Sequence, residues 1–416
     1  MRKLTWVHIW IVLVGLILVG ALIYQVPPVH DRLSWRLDFA LTYLRGLIDP
    51  IGAPPTPLPP PQVEVASQPT VTATQLPKPT LTQTAEFTST PIPSPTPLPQ
   101  SVSLPAPKWE QQDINNCGPA SLTMYLRFYG WEGVQLDIAD VLKPLREDRN
   151  VNVEELIYYV RTHAGWLNAE YRVGGDLERI KQFLAAGIPV MIEESFYFEE
   201  PFWVNDDLWA AHYALITGYD DETQMFTIQD SFRGPDQKVF YETTDEYWQA
   251  FNRVYILIYT PGQEGTVQSI LGVDWDVDAN RQHALEIAQD ETQSDPQNAY
   301  AWFNLGSNLT YFERYIEATD AYDRALEIGL PQRMMRYQFG PFIAYFHTGQ
   351  LDELFTLTEY ALKVTPNSEE ALLWRGWGLY RQGNSKEALE SFQQALEENP
   401  KYLDAQYAID FVRANP

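Results

Sequence analysis

The chain has 416 residues, more than one ordinary core holds, and at roughly 100–200 residues per domain it divides into about two domains plus connectors. Its 29 Lys and Arg against 55 Asp and Glu leave a net charge of −26, which repels polyanions and disfavours nucleic acid as a partner. The single cysteine, Cys117, excludes internal disulfides and cysteine-based zinc clusters, and leaves either a small buried hydrophobe or a reactive thiol.

From Leu4 to Val26 an apolar run is interrupted only by Thr5, His8 and Gln25, long enough as a helix (about 34 Å) to cross a bilayer. Arg2 and Lys3 precede it and no small-residue cleavage pattern comes after it, so residues 4–26 predict an uncleaved, single-pass signal anchor in a cell membrane. Arg32, Arg36 and Arg45 lie beyond the run, so a count of basic residues does not orient it. Long domains translocate largely regardless of such charges, and the globular part is expected outside the cytoplasm, in a bacterial envelope. Residues 31–48 repeat Leu33, Leu37, Leu41, Leu44 and Ile48 at helical spacing, a juxtamembrane amphipathic helix that either lies on the membrane surface or continues the anchor. Residues 52–107 hold 16 of the 31 prolines and only three charged residues, so no core forms there and a disordered Pro/Thr-rich stalk is expected. Extended polyproline II, at about 3.1 Å per residue, would hold the globular part away from the bilayer.

Residues 108–262 turn globular and aromatic. In "QQDINNCGPASLTMYL" Cys117 precedes Gly118 and Pro119, and Leu122, Tyr125, Leu126 and Tyr129 recur at helical spacing up to Gly130. Cys117 is therefore expected at a helix N-terminus, where the dipole favours the thiolate. A thiol nucleophile needs a base. His163 ends the helical pattern "VEELIYYVRTH", where an imidazole near the last carbonyls needs no catalytic role. His212 instead opens "HYALITGYDDETQMFTIQD", two strand-like runs joined by turn residues. A hairpin symmetric about Asp221 sets His212 directly opposite Asp230, with β-carbons about 4.5–5.5 Å apart. The carboxylate would then hold one ring nitrogen while the other addresses the thiol. An oxyanion needs donors, and Gln111, six residues before Cys117, is the candidate, with Gln112 as the fallback. Phe198, Phe202, Trp203 and Trp209 fit the wall of a substrate cleft and the cover of a core equally well; Trp203, Trp209 and Gly118 are taken as candidate substrate-binding residues.

From about residue 277 to 416 the period changes. Pro296, Pro331, Pro366 and Pro400 succeed one another at 34–35 residues, the mark of stacked helical hairpins. Trp302, Leu305 and Gly306, then Trp374, Trp377 and Gly378, fall where tetratricopeptide repeats place such residues, and this stretch resembles them. The unit 332–365 is degenerate, keeping Gly340, Tyr345 and Gly349 but lacking the first tryptophan. An all-α solenoid is implied, its concave face binding another protein.

The motifs "QQDINNCGPASL", "HYALITGYD" and "IQDS" together resemble the C39-like branch of papain-fold cysteine peptidases. The resemblance implies an α+β papain-like peptidase domain over 108–262 acting on a peptide or protein. It makes Cys117 the nucleophile, His212 the base, Asp230 its orienting partner and Gln111 the support of the oxyanion hole. Unlike the family's exporter-fused members, this chain shows no Gly-rich phosphate loop and carries the repeat segment instead, so their double-glycine specificity is not assumed for it. Two other readings fit the same residues: a non-catalytic envelope adaptor working through its repeats, or a thiol amidase or acyltransferase acting on cell-wall amides. No metal or other cofactor is expected. Asp274, Asp276 and Asp278 have calcium-loop spacing, but Ala279 and Leu285 stand where a glycine and a glutamate are needed.

Overall fold

The computed structural model describes residues 2–58, 97–143, 145 and 150–415. Two helices open the chain, α1 (Arg2–Tyr24) and α2 (Pro27–Ile48). The α/β region runs through β1 (Ser101–Ser103), α3 (Cys117–Phe128), α4 (Gln135–Leu142), α5 (Val153–His163), β2 (Asn168–Arg172), α6 (Leu177–Ala185) and β3 (Val190–Tyr197). It continues with β4 (Trp209–Asp220), β5 (Met225–Asp230), β6 (Gly234–Phe240), α7 (Tyr241–Gln249) and β7 (Tyr255–Tyr259). The remainder is helical: α8 (Glu264–Leu271), α9 (Val277–Ser294), α10 (Ala299–Tyr311), α11 (Tyr315–Ile328), α12 (Met334–Tyr337) and α13 (Gly340–Thr348). Four more helices complete it, α14 (Leu351–Val364), α15 (Glu369–Arg381), α16 (Ser385–Glu398) and α17 (Leu403–Ala414).

The strands form one antiparallel sheet in the order β2-β7-β3-β4-β5-β6, with β1 on the far end of β4. β4 is buried almost throughout, and its sequence "WAAHYALITGYD" is correspondingly apolar on both faces, as a strand covered from both sides must be. On one face Met191, Tyr213, Leu215, Ile256 and Ile258 pack with Leu122 and Tyr125 of α3. On the other, Val190, Ile192, Ala214 and Ile216 pack with Ile180 and Phe183 of α6 and with Trp248 of α7.

The prolines that set the period each stand just past a helix: Pro296 after α9, Pro331 after α11, Pro366 after α14 and Pro400 after α16. Helices α10–α11, α13–α14 and α15–α16 pack as hairpins. A Cβ at Gly306 would stand 2.6 Å from Cε1 of Tyr322, so only glycine lets α10 and α11 approach so closely. The buried core of the α/β region continues without a break into the first repeats, through Phe303, Tyr322, Met334 and Met335.

Most of the expected stalk, residues 59–96, lies outside the described residues. Its two ends are built into the body. Val102 pairs with Tyr219, and Tyr219 Oη donates to the Pro99 carbonyl at 2.7 Å. At the other end Ile51 is buried with Trp203 and Val364, Lys363 Nζ pairs with Asp49 at 2.7 Å, and Tyr360 Oη donates to the Gly52 carbonyl at 2.9 Å. The expected linker boundary at 107 is corrected accordingly, because the open end of β4 offers a backbone ladder that residues 101–103 fill. The helix α2 ends against the body, Gly46 facing the Trp203 side chain. α1 runs from Arg2 to Tyr24 where a span over 4–26 was expected, and the side chains of residues 2–7, 9 and 17 are outside the described ones. Among the described residues no helix is long and apolar enough to cross a membrane.

Candidate active site

Cys117 is the first residue of α3, with Pro119 in the first turn and the helix closing at Gly130, whose φ of +87° suits glycine. The loop before it is stapled from α4. Gln135 Oε1 accepts from the Asp113 N–H and from Asn116 Nδ2, both at 2.7 Å, while its Nε2 donates to the Gln111 carbonyl at 2.7 Å. Lys143 Nζ donates to the Asn115 carbonyl at 2.7 Å, and Asn115 takes the left-handed conformation (φ +53°) that asparagine tolerates. The loop thus delivers a half-buried thiol to the helix start.

His212 and Asp230 meet, with Nε2 of the buried imidazole 3.0 Å from Oδ1. The expected register is corrected. Asp230 pairs with Ala214, not His212, because the turn is four residues long (Asp220 pairs with Met225) and β4 carries a bulge at Thr217. The displacement is two residues, an even number, so His212 stays on the face of Asp230 and reaches it along the diagonal. Asp230 Oδ1 also accepts the backbone N–H groups of Phe232 at 2.7 Å and Arg233 at 2.8 Å, and Trp109 Nε1 donates to its carbonyl at 2.9 Å. The ring nitrogen that Asp230 does not hold is Nδ1, and Cys117 and His212 line the same cavity.

Burial alone would push the Cys117 thiol up; the hydrogen bond and charge of His212, a backbone hydrogen bond from Tyr213 and the charge of Lys143 outweigh it and bring the thiol down. Burial would likewise lower His212, but its hydrogen bonds to Asp230 and Cys117 raise it to about 10. Asp230, despite burial, is drawn down to about 2 by His212 and the two backbone N–H groups. All three shifts run toward the charged forms: thiolate, imidazolium and carboxylate.

Both candidate glutamines line the cavity at Cys117. Gln112 Oε1 accepts from Ser231 Oγ at 2.9 Å and its backbone N–H donates to the Ser231 carbonyl at 2.9 Å, which ties it to the end of β5. The exposed Gln111 is held through its carbonyl, which accepts from Gln135 Nε2.

That cavity, of about 330 Å³, is lined by Cys117, Gly118 and His212 together with Phe196, Phe198, Phe202 and Phe232. The expectation for the tryptophans is corrected. Trp203 and Trp209 are each only 1 % exposed and neither lines the cavity. Each indole is held inward by its N–H, Trp203 Nε1 donating to Gln332 Oε1 and Trp209 Nε1 to Ser195 Oγ, both at 2.8 Å. Trp209 also stacks on Phe251 with ring centroids 5.9 Å apart.

Sequence reasoning missed two buried carboxyls. Glu193 lines the cavity, and burial followed by the charge of Cys117 pushes it well above the carboxylate range. Glu194, directly across from His212 on β3, is raised to about 7, chiefly by burial and against the pull of His212. The only signal was "EES" inside an otherwise apolar strand. Gln135, the staple, carried no signal because its partners, the backbone of Asp113 and Gln111 and the side chains of Asn116 and Glu110, lie 19–25 residues before it. His163 ends α5, stacked on Tyr159 and bonded to Thr162, far from the cavity lining. Asp276 caps α9, Asp278 accepts from Tyr311 and Asp274 pairs with Arg179, and among the described residues no cluster able to hold a metal ion occurs.

A thiol at a helix start and an imidazole on an antiparallel sheet, followed by stacked helical hairpins, define a mixed α/β domain joined to a helical repeat region. Residues 103–260 match the model of the Peptidase_C39 like family, and residues 369–402 match that of the Tetratricopeptide repeat. The chain carries a C39-like peptidase-fold domain followed by tetratricopeptide repeats. Among solved structures it is similar to a protein from Bacillus anthracis described as a C39-like peptidase, at 18% identity and TM-score 0.31, covering 38% of this chain and 98% of that one. It is also similar to the double glycine motif protease of an AMS/PCAT transporter in complex with the leader peptide, at 17% identity and TM-score 0.28, covering 38% and 94%. The repeats are similar to YrrB, a tetratricopeptide protein with an unusual peptide-binding site, at 22% identity and TM-score 0.29, covering 36% and 74%. No curated protein matches the chain.

Proposed function

We propose that this protein is a cysteine peptidase anchored to a membrane by residues 4–26, with its globular part outside the cytoplasm and its repeats binding a protein partner. The observation that carries the enzymatic reading is the His212–Asp230 pair, 3.0 Å apart, in the cavity that also holds the thiol at the head of α3. The Cys117 thiolate attacks the scissile carbonyl, forming a C–S bond, and the imidazolium gives its proton to the leaving amine as the C–N bond breaks. Water, deprotonated by His212, then opens the thioester and releases the acid and the thiol. The Gln111 amide and the backbone N–H of Cys117 are the oxyanion donors, and Asp230 holds the imidazole and stabilises its cation. Amide transfer to a second amine uses the same parts, but nothing in the cavity favours it over hydrolysis.

Reaction with iodoacetamide tests the site: Cys117 should label rapidly below pH 7, and His212→Ala should abolish that rate. A peptide library digested by the full-length chain and by Cys117→Ala, with the cleavage products read by mass spectrometry, tests the reaction. Identical product sets would sink the peptidase reading. The anchor rests on the apolar run alone; release of the full-length protein from membranes by alkaline carbonate would overturn it.

A further inference from the structure

The cavity has a second feature, taken here together with the peptidase reading, that has no counterpart in the α/β domain. Tyr337 and Arg336, which belong to the repeat region, line the same cavity as Cys117 and His212. They sit on α12, a four-residue helix in the unit whose sequence departs from the repeat pattern. The two regular units begin with 13-residue helices, α10 and α15, whereas the first full helix of the degenerate unit, α13, has nine. The residues that would have formed its opening turns are diverted to the α/β domain.

The diversion is fastened at both ends. Arg333 donates to both carboxylate oxygens of Asp206 at 2.6 Å and to the Trp209 carbonyl at 2.9 Å, and its guanidinium lies 4.0 Å from the centre of the Trp203 ring. Gln332 donates to the Asn205 carbonyl at 2.8 Å, and Gln338 donates to the Ala250 carbonyl at 2.8 Å. Between these anchors the Tyr337 ring rests edge-on against Trp209, with centroids 5.9 Å apart, and Arg336 Nε donates to Thr365 Oγ1 at 2.8 Å. The same clamp holds the 198–208 loop that brings Phe198 and Phe202 to the cavity.

We infer that the repeat region forms one wall of the substrate site, and that Tyr337 closes with Phe196, Phe198, Phe202 and Phe232 a pocket for a large apolar side chain of a bound peptide. The missing tryptophan of the middle unit is then the trace of this second task. The repeats are a specificity element of the enzyme as well as a docking surface.

The test uses full-length Cys117→Ala protein in detergent and two fluorescein-labelled random octapeptide mixtures, one with a fixed Phe and the other with Ser at the same position. The Phe mixture should bind on the order of tenfold tighter, the gain expected from burying one such ring. Tyr337→Ala should remove most of that preference while the melting temperature is monitored. Because Tyr337 also packs on Trp209, a photo-crosslinking mixture carrying benzoylphenylalanine at the fixed position supplies a readout on protein with Tyr337 intact. Adducts on residues 333–340 are expected. No Phe preference, no binding at all, or adducts confined to the α/β domain would each overturn the inference. His212-dependent alkylation of Cys117 in the otherwise native chain would still stand in those cases, which separates failure of the wall from failure of the peptidase reading.

Discussion

Burial opposes charge on Cys117, His212 and Asp230 alike, yet each is shifted toward its charged form because each supplies the countercharge of the next. Removing the imidazole leaves the thiol with burial as the dominant influence, which raises it. His212→Ala should therefore slow iodoacetamide labelling at pH 6 by at least roughly tenfold, since each unit of rise removes about nine-tenths of the thiolate. A labelling rate unchanged by the substitution would mean that the thiol does not depend on the ring. Asp230→Asn keeps a hydrogen-bond partner but loses the charge, and kcat/KM should fall by roughly 10²- to 10⁴-fold, with the loss largest in the pH range where the imidazolium is needed. The same shifts set a stability profile. His212, raised from 6.5 to about 10, contributes fully below pH about 6.5 and less as the pH climbs through 10. Asp230, lowered from 3.8 to about 2, contributes above pH about 4 and loses its contribution as the pH falls toward 2. Melting temperatures across pH 2–11 should form a plateau between those limits, and Asp230→Asn should flatten its acid limb.

Elements were more legible in the sequence than the joints between them. The helix from Cys117 to Gly130 is dictated by apolar spacing, Pro119 and a terminal glycine, all local signals, and α3 occupies that stretch. The His212–Asp230 meeting was legible only modulo two. Alternation along a strand fixes the face, and the even displacement kept it, but the four-residue turn and the bulge at Thr217 carry no marker in the apolar pattern. The tryptophans misled because aromatic residues near a histidine look alike in sequence whether they face a cavity or a core, and the partners that bury these, Gln332 and Phe251, are distant. Gln135 was silent for a related reason. It holds the loop before Cys117 through the backbone of Asp113 and Gln111, and its side-chain partners, Asn116 and Glu110, lie 19 and 25 residues away in the chain. Gln135→Leu leaves the Asp113 N–H and the Gln111 carbonyl without their partner, which should cost about 1–3 kcal/mol of stability and loosen the position of Cys117. Chemical denaturation checks the first, and a fall in kcat/KM larger than the change in alkylation rate checks the second. Full activity with an unchanged denaturation midpoint would show that α4 does not set the loop.

At the scale of the whole molecule one face of the α/β sheet and the first repeats share a hydrophobic core, and Arg333 joins the two regions through Asp206 as Arg253 does through Glu291. Its side chain and that of Asp206 are almost wholly excluded from solvent, so the pair cannot be split without stranding a charge. Burial alone would raise the Asp206 carboxyl, but the hydrogen bond and charge of Arg333 hold it down. Arg333→Met removes the cation and leaves the carboxylate uncompensated, at a cost of about 3–5 kcal/mol. A double replacement, Arg333→Met with Asp206→Leu, removes both charges and should recover much of that loss, since a buried pair is often worth little more than apolar side chains of similar volume. The α/β domain and the first repeats should unfold in a single calorimetric transition, because one continuous core joins them. In Arg333→Met the transition should move to lower temperature, and kcat/KM should fall with it, because Asp206 also orders the loop that carries Phe198 and Phe202 to the cavity. Two well-resolved transitions in the native chain, or an Arg333→Met variant that melts as the native protein does, would show instead that the repeats are merely tethered beside the α/β domain.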